Sequence, residues 1–217
     1  MLRLTPKLGA RSRFQVLCLG AHSDDIEIGC GGTVLRLQDE YPEIDFRWVV
    51  FGATGPRVEE ARRSAEAFLA RAKHKTIILK EFRNSFFPYL GEEIKEFFEV
   101  IKKDVAPDLI LTHYRDDLHQ DHRLISQFTW NTFRDHLILE YEIPKYDGDM
   151  GTPNFFVLLD KFTCDRKTAM LVEHFRSQAD RQWFSEDTFL ALMRLRGVEA
   201  NAPSKYAEAF YCRKLVV

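Results

Sequence analysis

The sequence predicts one α/β domain, a Rossmann-like, mostly parallel sheet with helices on both faces. Three observations predict it. Strand-like and helix-like patterns alternate along nearly all of the 217 residues, as a succession of βαβ units requires. The strand-like runs are short and continuously apolar, the mark of parallel strands covered on both faces. No repeat, low-complexity tract or linker divides the chain, and its length suits a single domain, residues 1–217, with 1–13 as an N-terminal extension.

The elements follow in order. Phe14 to Ala21 is the first apolar run; after a glycine-rich turn, a helix begins near Thr33. Asp45 to Phe51 reads as a strand, and Arg57 to Ala72 as an amphipathic helix with Ala61, Ala65, Phe68 and Leu69 on one face. Thr76 to Leu79 is a strand and Glu92 to Lys103 a helix, ended before Pro107; Leu109 to Leu111 is a strand and Arg123 to Arg134 a helix. Leu137 to Ile143 and Phe155 to Leu159 are strands around a Pro- and Gly-bearing loop at 144–153. Helices over Asp165 to Ser177 and Glu186 to Arg196 and a strand around Ala209 to Val216 complete the chain.

Composition narrows the function. The chain is 45% apolar and 29% charged, with a mean hydropathy of -0.30, ordinary values for a globular protein. A net charge of -2 leaves no electrostatic footprint for nucleic acid. No stretch approaches the roughly 20 apolar residues of a membrane span, and the N-terminus lacks a signal-peptide core. Cys18, Cys30, Cys164 and Cys212 are scattered without a CxxC pair, which argues for a reducing compartment. The expectation is a cytoplasmic protein.

Two polar clusters stand out, each directly after a predicted strand: Ala21-His-Ser-Asp-Asp-Ile-Glu27, and His113-Tyr-Arg-Asp-Asp-Leu-His-Gln-Asp-His122. In open α/β sheets the ligand crevice lies beyond the carboxyl ends of the strands. Imidazoles gathered beside carboxylates there suit a divalent ion with an open position. Taken singly, each cluster reads more simply as solvated surface, and Asp24 or Asp25 as a helix cap. Taken together at the ends of one sheet, they favour a metal site.

His22-Ser-Asp-Asp25, continuing Ile-Glu-Ile-Gly-Cys-Gly-Gly-Thr, resembles the His-Pro-Asp-Asp signature of the PIG-L/LmbE-like zinc-dependent N-deacetylases. Asp117-Leu-His119-Gln-Asp121-His122 is similar to that family's Asp-x-His-x-Asp-His motif, with weaker likenesses at Arg57-Val-Glu-Glu-Ala61 and Tyr206-Ala-Glu-Ala-Phe210. The resemblance implies a Zn2+ ion, with Fe2+ as an alternative, on His22, Asp25 and His122. It implies Asp24 as general base and His119 as stabiliser of the oxyanion or acid toward the leaving amine. Asp121 would orient His119 and keep it cationic, and Arg57 would grip substrate hydroxyls. The substrate class so implied is an N-acetylated amino sugar, and a homo-oligomer is common among such proteins. Ser23 stands where the family usually has Pro.

The physical logic of that set is coherent. A His-His-Asp triad leaves a position open, where zinc brings the pKa of water toward about 7. A neighbouring carboxylate can then take its proton. Alternatives remain: another amide hydrolysis or a hydration on the same metal, a non-catalytic sugar-binding protein, or a two-metal phosphoesterase using Asp116, Asp117 and Asp121. A dinucleotide loop at Gly29-Cys-Gly-Gly32 is disfavoured because the spacing is not GxGxxG; close helix packing explains those glycines. Phe82, Phe86, Phe87 and Tyr89 read as core before they read as a sugar-stacking surface. The 144–153 loop is either a lid or a plain connection.

Overall fold

The computed structural model describes residues 13–216, so most of the 1–13 extension lies outside the described residues. In chain order the elements are β1 (Gln15–His22), α1 (Asp25–Glu40), β2 (Asp45–Gly52), α2 (Arg57–Phe68) and β3 (His74–Leu79). Then follow α3 (Gly91–Asp104), β4 (Leu109–His113), α4 (Gln120–Thr132), β5 (Leu137–Tyr141), β6 (Phe155–Leu159), α5 (Lys161–His174), α6 (Glu186–Glu199) and β7 (Tyr206–Cys212). The strands form one sheet in the order β3-β2-β1-β4-β5-β7-β6. The first five are mutually parallel; β7 runs antiparallel to both β5 and β6. The sheet is thus mostly parallel, as its apolar runs predict.

Side chains alternate across the sheet into two cores. Val16, Cys18, Phe46, Trp48 and Val50 face Val34, Ala61, Ala65, Phe68 and Leu171, which come from α1, α2 and α5. Leu17, Leu19, Val49 and Phe51 face Ile94, Phe98 and Ile125, from α3 and α4. Each valine, leucine, isoleucine or phenylalanine among them contributes on the order of 1.5–3 kcal/mol by leaving water.

The sheet order reverses between β1 and β4, where Val16 pairs with Leu109 and Cys18 with Leu111. Successive strands are added toward β3 on one side and toward β5 on the other. This switch point is where such sheets open a crevice, and both polar clusters leave their strands there.

α1 begins at Asp25, not near Thr33: the glycine-rich stretch is helical, broken only at Cys30 (φ -144, ψ 16). That break frees the backbone of the following turn, and a distant carboxylate takes it up. Glu208 of β7 accepts from Gly32 N–H (2.8 Å), Thr33 N–H (2.6 Å) and the Thr33 hydroxyl (2.6 Å). Lys167 of α5 donates to Glu208 (2.7 Å) and to the freed Ile28 carbonyl (2.6 Å). The glycines serve close packing, as expected: a Cβ on Gly32 would lie 2.5 Å from Leu159, and one on Gly29 would run into the Tyr141 ring. Among the described residues no helix is long and apolar enough to cross a membrane.

Candidate metal centre and active site

β1 ends at His22 and α1 starts three residues later, so the first cluster spans a strand end, a two-residue turn and a first helical turn. Asp24 and Asp25 do not lie on extended backbone. Asp24 is the residue preceding α1, with φ -116 and ψ -4, and its side chain makes no cap bond. The helical start separates the two carboxylates instead. Asp25 turns back to accept from the His22 N–H at 2.6 Å, while Asp24 meets the Arg57 guanidinium at 2.6 Å. Arg57 therefore sits on the proposed base rather than reaching freely toward a ligand.

The second cluster follows β4. His119 precedes α4 and its Nδ1 accepts from the Asp121 N–H at 3.2 Å; Asp121 and His122 occupy the first turn. Across the switch point, His22 Nδ1 lies 3.1 Å from His122 Nε2. Asp25 Oδ2 lies 3.3 Å from the first and 3.5 Å from the second. Three ligand atoms at about 2.0–2.1 Å from one tetrahedral ion stand roughly 3.3–3.4 Å apart. The triangle formed by His22, Asp25 and His122 has that size.

The outer nitrogens are held as a metal site requires. His22 Nε2 reaches Asp121 Oδ2 at 3.1 Å, and His122 Nδ1 reaches Asp117 Oδ2 at 2.9 Å. Both acids are held below the usual carboxylate range: burial opposes this at each, but His122 outweighs it at Asp117 and His22 at Asp121. An ionised carboxylate only accepts, so the outer nitrogens carry protons; the inner nitrogen of His122 presents a lone pair, and that of His22 presents one once its ring is neutral. The donor set fits a divalent ion of the zinc type.

Electrostatics divide the cluster. Burial raises Asp25, but His122, His113 and His22 hold it well below the ordinary value. Burial lowers the pKa of His22, yet Asp25 and Asp121 push it up to about 10. At His122 burial and the adjacent His113 prevail, bringing it down to about 3. Asp24 is raised by burial, with Arg57 opposing. His119 is lowered by burial and then by His22.

The expected pairing of Asp121 with His119 is not the one formed. α4 starts between them, and Asp121 points to the neighbouring loop, accepting from Ser85 N–H (2.6 Å) and Phe87 N–H (3.1 Å) as well as facing His22. His119 receives the Asp121 backbone, not its charge. With Nδ1 accepting and its pKa depressed, the ring is neutral and carries its proton on Nε2. It packs edge-on to His22 (4.8 Å between centroids) and face to face with His122 (4.6 Å).

Three further residues belong to the site. Asp117, considered from sequence only for a two-metal site, anchors His122 and accepts from the His119 N–H at 2.8 Å. His113 is buried, stacks on His122 at 4.0 Å, accepts from Ala21 N–H at 2.9 Å and lies 3.2 Å from Asp25 Oδ2. Lys145, in the 144–153 loop, reaches Asp117 at 2.9 Å and Asp149 at 2.5 Å. Nothing local in the sequence marks Lys145; only the folded loop brings it there.

The family model described as PIG-L: GlcNAc-PI de-N-acetylase matches residues 17–133. The chain is 30% identical over 142 residues to an uncharacterized deacetylase, YaiS, of Escherichia coli, covering 62% of this chain and 77% of that one. It is 31% identical over 127 residues to the diacetylchitobiose deacetylase of Thermococcus kodakarensis, covering 50% of this chain and 45% of the relative. The solved N,N'-diacetylchitobiose deacetylase of Pyrococcus horikoshii shares the fold, with a TM-score of 0.70 and 22% identity over 92% of this chain and 83% of that one. With its strand-end motifs gathered at one switch point and more than half of its length matched by the family model, the chain belongs to the PIG-L (GlcNAc-PI de-N-acetylase) family.

Proposed function

We propose that the protein is a zinc-dependent hydrolase that removes the acetyl group from an N-acetylated amino sugar. The observation that carries this reading is the 3.1–3.5 Å triangle of His22 Nδ1, His122 Nε2 and Asp25 Oδ2, with Asp24 beside it and both imidazoles anchored on carboxylates. A divalent ion on those three residues supplies Lewis acidity and a water acidic enough to be activated near neutrality.

The protein's own groups do the rest. Asp24, its pKa raised by burial, takes a proton as the water oxygen adds to the amide carbonyl carbon. Arg57, 2.6 Å from Asp24, positions that carboxylate and limits the rise. His119, neutral with its proton on Nε2, donates a hydrogen bond to the carbonyl oxygen as charge develops there; a donor so placed contributes about 10²–10³ in rate. When the C–N bond breaks, the proton held by Asp24 passes to the departing nitrogen, and acetate and a free amino sugar leave. Asp121 and Asp117 hold His22 and His122 in register throughout.

The test is metal analysis combined with amine release from a panel of N-acetyl amino sugars and their glycosides. About one zinc per chain and liberated amine are expected. Asp24→Asn should keep the metal and lose at least about 10²-fold in kcat. Full activity in that variant would remove Asp24 as the base. Bound metal with no amine from any sugar would move the reading to another amide or to a hydration.

A further inference from the structure

A buried ion pair interrupts the helix that opens on the first polar cluster. In an unbroken α1 the Gly32 N–H would donate to the Ile28 carbonyl, four residues back. Cys30 (φ -144, ψ 16) breaks that register, and the two groups meet opposite members of one ion pair. Gly32 N–H donates to Glu208 at 2.8 Å, and the Ile28 carbonyl accepts from Lys167 at 2.6 Å. Lys167 and Glu208 are themselves 2.7 Å apart. The pair stands where one backbone hydrogen bond would be, its ammonium on the front piece of the helix and its carboxylate on the rear piece.

The front piece carries the chemistry. It begins at Asp25, with Asp24 just before it, and ends at the break. Ile28 is held through both of its backbone groups: its N–H donates to the Asp24 carbonyl at 3.0 Å, and its carbonyl takes Lys167. One hydrogen-bonded turn therefore joins Lys167 to the proposed base and to the ligand Asp25. The rear piece is tied to Glu208 again through the Thr33 N–H and hydroxyl, each at 2.6 Å. Stability does not account for the charges. Both side chains are 3% exposed, and a buried ion pair loses in desolvation about what it gains, so apolar residues of like size would serve packing as well. Apolar residues could not give the Ile28 carbonyl a donor and the Gly32 amide an acceptor at a fixed separation. Without both, the bend leaves buried groups unpaired, and straightening the helix to pair them swings its first turn.

From this we infer that Lys167 and Glu208 are positioning residues for the reaction: their ion pair sets the bend in α1, and the bend aims Asp24 and Asp25 into the metal centre. The inference rests on the metal-dependent deacetylase reading and extends it to α5 and β7. Neither residue belongs to the ligand triangle; both act through the backbone of α1.

The test compares the full chain with Lys167→Met and with the double variant Lys167→Met/Glu208→Gln, which buries no unpaired charge and carries the test if the single variant fails to fold. Zinc affinity, read by competition with a chromophoric chelator, should fall about tenfold in both. The visible absorption of the cobalt-substituted protein should change with it. On an N-acetyl amino sugar, kcat should fall by at least about tenfold with KM little changed, because a displaced base costs rate and not binding. The double variant should resist urea better than Glu208→Gln alone yet keep the lowered zinc affinity, a loss that does not follow stability. Unchanged zinc affinity and cobalt spectrum in the folded variants overturn the inference and leave the deacetylase reading standing. If the parent chain binds no zinc, that reading falls, and amide exchange in the metal-free protein decides the positioning role. The His22 N–H, which donates to Asp25 at 2.6 Å, should then exchange severalfold faster in Lys167→Met relative to the Val49 N–H of β2. An unchanged ratio overturns the inference.

Discussion

Burial lowers the pKa of both His22 and His122, yet the neighbouring carboxylates carry the first up while the second stays down, although their facing nitrogens stand 3.1 Å apart. His22, raised to about 10, is cationic at pH 7, whereas His122, lowered to about 3, is already neutral. A metal ion needs both lone pairs, so its binding must expel the proton from His22 alone. Titration of the metal-free protein with zinc at pH 7, in buffers of different ionisation enthalpy, should report about one proton released per ion. The apparent affinity should rise with pH up to about 10, because each step toward that value leaves less His22 to deprotonate. Two protons released would contradict the assignment of His122.

At the scale of elements, helix ends and loops carry charges that the strands cannot. The second half of α1 is capped by Glu208 of β7, whose charge is matched by buried Lys167 at 2.7 Å. Glu208→Gln leaves the Lys167 ammonium buried without its partner, at a cost of about 3–5 kcal/mol. Urea denaturation should show that loss, and Lys167→Met in the same background should recover part of it. In the 144–153 loop, Lys145 acts on His122 through Asp117. Lys145→Met should weaken zinc binding about tenfold, read by competition with a chromophoric chelator. In an Asp117→Asn background the same change should have no further effect. An additive loss would mean that Lys145 acts by another route.

For the molecule as a whole, the three proposed ligands come from the end of β1 and the first turns of α1 and α4, so an ion held there would tie the two halves of the sheet at their switch point. Ligand binding to the folded state alone stabilises by RT ln(1 + [L]/Kd). At a thousandfold excess over Kd this is about 4 kcal/mol, and for a chain of this length it corresponds to roughly 10 °C in melting temperature. Calorimetry of the protein before and after chelation should show that difference, reversed by zinc. An unchanged melting temperature would mean that the triangle does not hold an ion.

The alternation of apolar runs with helical patterns determined the parallel sheet, because burying a strand on both faces leaves no room for polar residues. The two polar clusters at strand ends pointed to a metal site, because imidazoles and carboxylates gather there without another evident reason, but the choice of His22, Asp25 and His122 as ligand candidates came from the resemblance of their motifs to the family's signatures. The glycines of α1 were legible as packing, but the start of that helix was not: its break at Cys30 is stabilised by Glu208 and Lys167, which lie more than a hundred residues away in the chain. The split of the aromatic group, with Phe87 buried and Tyr89 exposed, likewise waited on the fold. Tertiary structure alone decided where the second-layer charges go. It gave Asp121 to His22 rather than His119, Arg57 to Asp24, and Lys145 to Asp117, because side-chain electrostatics depend on distances through space that a linear order of residues does not contain.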